Sequence, residues 1–212
     1  MNSSSARNLA AGPKPRTLVL AGALVLPAAV LLHELGHYVT AEALGFAPNA
    51  LHFNSASVGA PPPDASAWVL AAPYGAGQLV SLLLSVLTAG AAWAHGLRGA
   101  ATLAALALAV TFAEATRALF MLIAHMVLSL LRWDSLWIGF DELSYFARAA
   151  GGTPPAAFVL CLLGVLIAVA ACISVLRAWP AGGARRHALR WIAVGTLIGY
   201  VWYFGGGSLL SA

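Results

Sequence analysis

The sequence predicts an all-α, polytopic membrane protein with about five transmembrane helices. Three observations carry that prediction. Hydrophobic residues make up 61% of the 212-residue chain and charged residues only 8%, whereas a soluble domain needs roughly a quarter of its residues charged. The mean hydropathy is +0.85. The apolar residues form long continuous runs, not the short alternating segments of a membrane β-barrel. This composition excludes a soluble globular enzyme, a disordered chain and a disulfide scaffold.

Residues 1–16 are predicted to form a flexible cytoplasmic leader carrying Arg7, Lys14 and Arg16. A charged leader before an apolar run resembles a signal peptide. No small-x-small cleavage pattern follows the run, so the run is expected to be retained, with residues 17–212 forming one membrane-embedded domain. The five apolar stretches are Thr17–Gly45, Ala67–Ala94, Ala100–Leu131, Pro155–Leu176 and Leu189–Leu210. Each supplies the ~20 residues a spanning helix requires.

The basic residues order these spans. Eight of the 11 Lys and Arg (Arg7, Lys14, Arg16, Arg98, Arg177, Arg185, Arg186 and Arg190) fall on one side of the five-span arrangement, against Arg132 and Arg148 on the other. By the positive-inside rule the N-terminus is cytoplasmic and the C-terminus lies outside, as in a bacterial-type inner membrane. The net charge of +4 is thus read as a topology signal. No basic stretch interleaved with aromatics suggests a nucleic-acid partner.

Two loops are more than connectors. Phe46–Ser66 contains Pro48 and Pro61–Pro63, which oppose a helix and leave room for an extended piece at Leu51–Val58. Trp133–Ala150 carries Trp133, Trp137, Phe140, Tyr145 and Phe146. It reads as an interfacial helix anchored by aromatics, or as a segment dipping back toward the membrane. Cys161 and Cys172 sit eleven positions apart in one apolar run, about 16 Å along a helix. They are too distant for a disulfide and are expected to pack as small apolar groups. Gly195 and Gly199 form a G-x-x-x-G in the fifth span, a surface suited to close helix packing and to a homo-oligomer contact.

The chemistry concentrates at His33-Glu34-Leu35-Gly36-His37. In H-E-x-x-H on a helix, positions i and i+4 share a face, so both imidazoles can reach one ion. Glu34 can then act as base on a water bound to that ion. Burying two His and one Glu in an apolar helix without a ligand is costly. The competing structural role is a polar cluster satisfied by other helices, with Arg117 as a partner. The signal is therefore a Zn²⁺ site with His33 and His37 as ligands and Glu34 as catalytic base.

The longer run H-E-L-G-H-Y-V-T-A-E-A-L-G resembles the H-E-x-G-H-x-x-x-A-x-x-x-G signature of the site-2 protease family, the intramembrane zinc metalloproteases. His33, Glu34, Gly36, His37, Ala41 and Gly45 match it. The small Gly36 and Ala41 let another helix approach, and Gly45 can end the helix. Ala71-Ala72-Pro73 with Gln78 resembles the family's Ala-Gly-Pro with a nearby amide, although a proline in a helix's first turn is equally ordinary. The resemblance implies a third ligand, an Asp from a later Leu-Asp-Gly. The nearest counterpart is Asp141 in Phe140-Asp141-Glu142, which lacks the Leu, the Gly and a preceding Asn-x-x-Pro. Glu142, Glu114 and His125 are the alternatives. Glu114 and Arg117, three residues apart, are expected to form an intrahelical ion pair. Arg117 could instead hold a substrate carbonyl or oxyanion.

The expected function is therefore zinc-dependent hydrolysis of peptide bonds in transmembrane protein substrates within the lipid bilayer. The alternatives are a non-catalytic membrane protein of the same fold that binds or chaperones a partner helix, and a membrane zinc hydrolase acting on a lipid amide. The topology is testable by reporter fusions. Ser57, Leu97, Ala181 and Ala212 should report outside, inside, inside and outside, whereas Ser57 and Ala181 on one side would break the five-span order.

Overall fold

The computed structural model describes residues 13–52, 55–95, 101–131, 142–179 and 182–210. They fold into α1 (Pro15–Ala43), β1 (Ala50–Leu51), β2 (Ala56–Ser57), α2 (Ala67–His95), α3 (Ala101–Leu131), α4 (Glu142–Ala149), α5 (Pro154–Ala178) and α6 (Gly183–Leu210). The all-α class is as predicted. Four helices, Pro15–Ala43, Ala67–Ala94, Thr102–Ala124 and Pro155–Ala178, are long and apolar enough to cross a membrane. The fifth predicted span is the 28-residue α6. Among the described residues it is not one of those four, and its opening turns carry Arg185, Arg186, His187 and Arg190. Asp141, most of the aromatic loop before it and the leader through residue 12 lie outside the described residues.

α1 is the central element. It lies against α2, α3, α6 and the hairpin. Its buried residues are Leu18, Ala21, Gly22, Leu26, Ala29, Val30, His33, Glu34, His37 and Ala41, which recur at three- and four-residue spacing and form one stripe. Its other faces expose Leu20, Leu24, Leu32 and Val39. His33, Glu34 and His37 thus face inward while these exposed residues are apolar, the pattern expected when lipid is the solvent.

Small residues set the helix spacing. A side chain at Gly22 would press on the backbone at Ile192, Gly195 and Thr196, and one at Gly195 would press on that of Val19. Gly199 meets Ala23 and Leu26. These pairs advance together along both chains, so α1 and α6 run parallel with their backbones nearly touching. The G-x-x-x-G surface of α6 is therefore covered by α1 of the same chain. This corrects its assignment as the surface for a second copy, because an intrachain partner already occupies it. Gly36 likewise packs on Ala76, Gly77 and Val80 of α2.

α1 ends where Gly45 adopts φ +78°, a left-handed conformation that glycine reaches without strain. The chain then forms the short antiparallel hairpin, with Ala50 opposite Ser57 and Leu51 opposite Ala56, overlapping the stretch expected to be extended and starting one residue before it. Pro73 departs from expectation. It lies in the interior of α2, not in its first turn. Cys161 and Cys172 are buried in the apolar core with Leu108, Val165 and Ala168. Trp68 and Trp93 project strongly from opposite ends of α2, about 37 Å apart by helical rise, as interfacial anchors do.

The backbone contact between α1 and α6 predicts that Gly195→Val lowers stability by about 1–3 kcal/mol through overpacking. Thermal unfolding in detergent should show a lower Tm, and an unchanged Tm would contradict the close approach.

Candidate metal centre

The inward stripe of α1 meets a polar ladder on α2. Pro73, Gly77, Ser81 and Ser85 repeat every four residues and so share one face, and Pro73, Ser81 and Ser85 are fully buried. His37 Nδ1 donates to the Pro73 carbonyl at 2.6 Å. A carbonyl only accepts, so that proton is fixed on Nδ1 and Nε2 carries the lone pair. His33 Nδ1 lies 3.1 Å from Ser81 Oγ. Gly77 provides the space for the His37 ring, since a Cβ there would overlap His37 Nε2 and lie 2.7 Å from two ring carbons.

α4 delivers the third group. Phe146 packs on Gly75 and near Trp68, and Tyr145 stacks on Tyr74 with centroids 5.3 Å apart. These contacts dock α4 on the first half of α2 and set Glu142, its first residue, beside the histidines. Glu142 Oε2 is 2.8 Å from His33 Nε2 and 3.2 Å from His37 Nε2, and the two Nε2 atoms are 3.1 Å apart. Burial opposes ionisation of Glu142, but the imidazoles of His33 and His37 outweigh it and hold the carboxyl well below the usual carboxylate range.

The three facing atoms form a set suited to a metal ion. Tetrahedral coordination with bonds of about 2.0–2.1 Å places ligand atoms about 3.3 Å apart, close to the observed 2.8, 3.1 and 3.2 Å. Charge points the same way. Among the described residues the site holds one cation, Arg117, against Glu34, Glu114 and Glu142. When these four are ionised the site carries two net negative charges, which a divalent cation or two added protons would balance.

Sequence reasoning placed His33, Glu34 and His37 here, and the structure brings them together on one buried face. Glu142, an alternative to Asp141 on sequence grounds, occupies the third position among the described residues. Glu114 is buried but turned to Arg117, whose Nε donates to its Oε2 at 3.2 Å, giving the expected ion pair. Arg117 also enters the site. Its Nη2 donates to Ser81 Oγ at 2.8 Å and to Gln78 Oε1 at 3.3 Å, and its Nη1 lies 3.4 Å from His33 Nε2. Glu34 accepts from the Ala56 backbone of the hairpin, and Glu42 instead accepts from Asn49 on the exposed side. Sequence reasoning missed Gly77 and Ser81, although the four-residue repeat from Pro73 to Ser85 carried the signal. No family model, curated protein or solved structure matches the chain.

Gly77→Ala is expected to displace the His37 ring and weaken metal binding about 10- to 100-fold, the usual cost of disturbing a ligand's support. Competition against a chelator measures this, and parent-like affinity in the variant would contradict the role of Gly77.

Proposed function

We propose that this chain is a zinc-dependent intramembrane endopeptidase of the site-2 protease type, cutting peptide bonds of membrane-spanning substrates. The observation that carries the reading is the convergence of His33 Nε2, His37 Nε2 and Glu142 Oε2, with Glu34 beside the first ligand in a membrane-compatible helix. Two imidazoles and one carboxylate are a donor set of catalytic zinc, which leaves a further position open. Bound there, zinc supplies a Lewis acid that polarises a carbonyl and acidifies water.

The remaining chemistry belongs to the chain. His37 is held in its ligating tautomer by the Pro73 carbonyl. Glu34 takes a proton from the attacking water and returns it to the departing amide nitrogen. The hairpin lies on α1 beside Glu34, where an unwound substrate segment would approach. His33, Glu34, His37 and Glu114 are buried, so their charges act at lower dielectric than in water. The charge distribution supports a cytoplasmic N-terminus. The parallel course of α1 and α6 is the relation that first and fifth spans of one bundle require.

The purified protein should contain about one zinc per chain. His33→Ala, His37→Ala and Glu142→Ala should lose it. Glu34→Gln should retain zinc but cleave a transmembrane reporter at least about 10²-fold more slowly. Metal analysis and reporter cleavage in detergent or liposomes measure both. Zinc retained in the His33→Ala/His37→Ala double variant, or full cleavage by Glu34→Gln, would overturn the reading.

A further inference from the structure

One cation stands beside the candidate metal centre without being one of its three facing groups. Arg117 projects from the middle of α3 and is largely buried, with 15% of its side chain exposed. Three of its five N–H groups are committed. Nε donates to Glu114, and the two on Nη2 donate to Ser81 and Gln78. These contacts come from two helices and fix the guanidinium plane. Nη1 points the other way, into the site. Among the described residues, its one neighbour within hydrogen-bond distance is His33 Nε2 at 3.4 Å. That nitrogen already faces Glu142 at 2.8 Å and His37 at 3.1 Å, and as a metal ligand it would spend its lone pair on the ion and accept nothing from Arg117. Held by these contacts, the guanidinium presents two N–H donors that find no acceptor among the described residues at the edge of the candidate metal face. Glu114, buried behind it, offsets its charge and makes it tolerable at membrane depth.

We propose that Arg117 is a catalytic residue that donates from Nη1 to the scissile carbonyl oxygen of the substrate. The proposal rests on the peptidase reading above. As the water oxygen bonds to the carbonyl carbon, the C=O π pair moves onto the carbonyl oxygen. Arg117 meets the negative charge that forms there, while Glu34 accepts the water proton. The C–N bond then breaks, the carbonyl re-forms, and the proton passes to the amine. One water is consumed, and one carboxyl and one amine are produced. A donor fixed before the reaction stabilises the developing charge without reorganising, which is where such groups act most strongly. Ser81 is a positioning residue. It ties the guanidinium to the same hydroxyl that contacts His33 Nδ1, so metal ligand and cation share one anchor.

The test compares Arg117→Gln and Arg117→Lys with the parent. Zinc content, reporter cleavage, and affinity for two peptide inhibitors are read: a hydroxamate, which ligates metal, and a phosphinate, which presents a tetrahedral anion. Arg117→Gln should retain zinc and hydroxamate affinity. It should lose about 10²–10³ in kcat with little change in KM and lose phosphinate affinity in proportion. Arg117→Lys should recover part of both losses. Parent-like kcat and phosphinate affinity in zinc-loaded Arg117→Gln would overturn the proposal and leave the peptidase reading intact. Loss of zinc in both variants would also overturn it, by making Arg117 a structural anchor. A parent that neither binds zinc nor cleaves would remove the peptidase reading, and this proposal with it.

Discussion

The cost of holding charge inside an apolar helix bundle governs the rest of this structure. His33, Glu34, His37, Glu114 and Arg117 all lie on helices long and apolar enough to cross a membrane, and lipid offers none of them a hydrogen bond. Each must find its partner within the protein. The buried stripe of α1 answers this by turning its polar residues toward α2 and α3 and its leucines outward. His37 Nδ1 donates to a backbone carbonyl, His33 Nδ1 faces Ser81, and Arg117 pairs with one oxygen of Glu114. What these pairings leave is a face on which His33 Nε2, His37 Nε2 and Glu142 Oε2 turn toward one another.

Close packing makes that arrangement possible. Glycines on α1, α2 and α6 bring backbones together where a single methyl group would not fit. Gly77 admits the His37 ring, Gly36 brings α1 onto the α2 backbone, and Gly22 and Gly195 join α1 to α6. In a bilayer, where apolar burial between helices contributes little, such van der Waals contact is a main source of association. The same glycines therefore stabilise the bundle and shape the site. α4 acts differently. It is a short helix pinned by ring contacts to Trp68 and Tyr74, and it carries Glu142 to the histidines from outside the spans.

Much of this was legible in the sequence because its causes are local. Long apolar runs dictate helices, and the i, i+4 spacing of His33 and His37 puts both on one face. Gly45 stops α1 as its backbone freedom allows. The Glu114–Arg117 pair follows from three-residue spacing. Features set by tertiary contact were harder to read. Whether Asp141 or Glu142 faces the histidines depends on how α4 docks, and neighbouring residues differ by about 100° around a helix. Gly195 and Gly199 marked a packing surface correctly, but spacing alone does not say whether the partner is another chain or α1. Pro73 matched a helix-start pattern. Its place inside α2, with its carbonyl turned to His37, depends on a neighbour in α1, 36 residues earlier in the sequence.

The central claim is that two imidazoles and a carboxylate from α1 and α4 hold one zinc ion at membrane depth. Zinc K-edge X-ray absorption of the purified protein tests it most directly. The account predicts a first shell of nitrogen and oxygen only, at about 2.0–2.1 Å, with the outer-shell signature of two imidazole rings. Sulfur scatterers at about 2.3 Å, fewer than two imidazoles, or no bound zinc would contradict it.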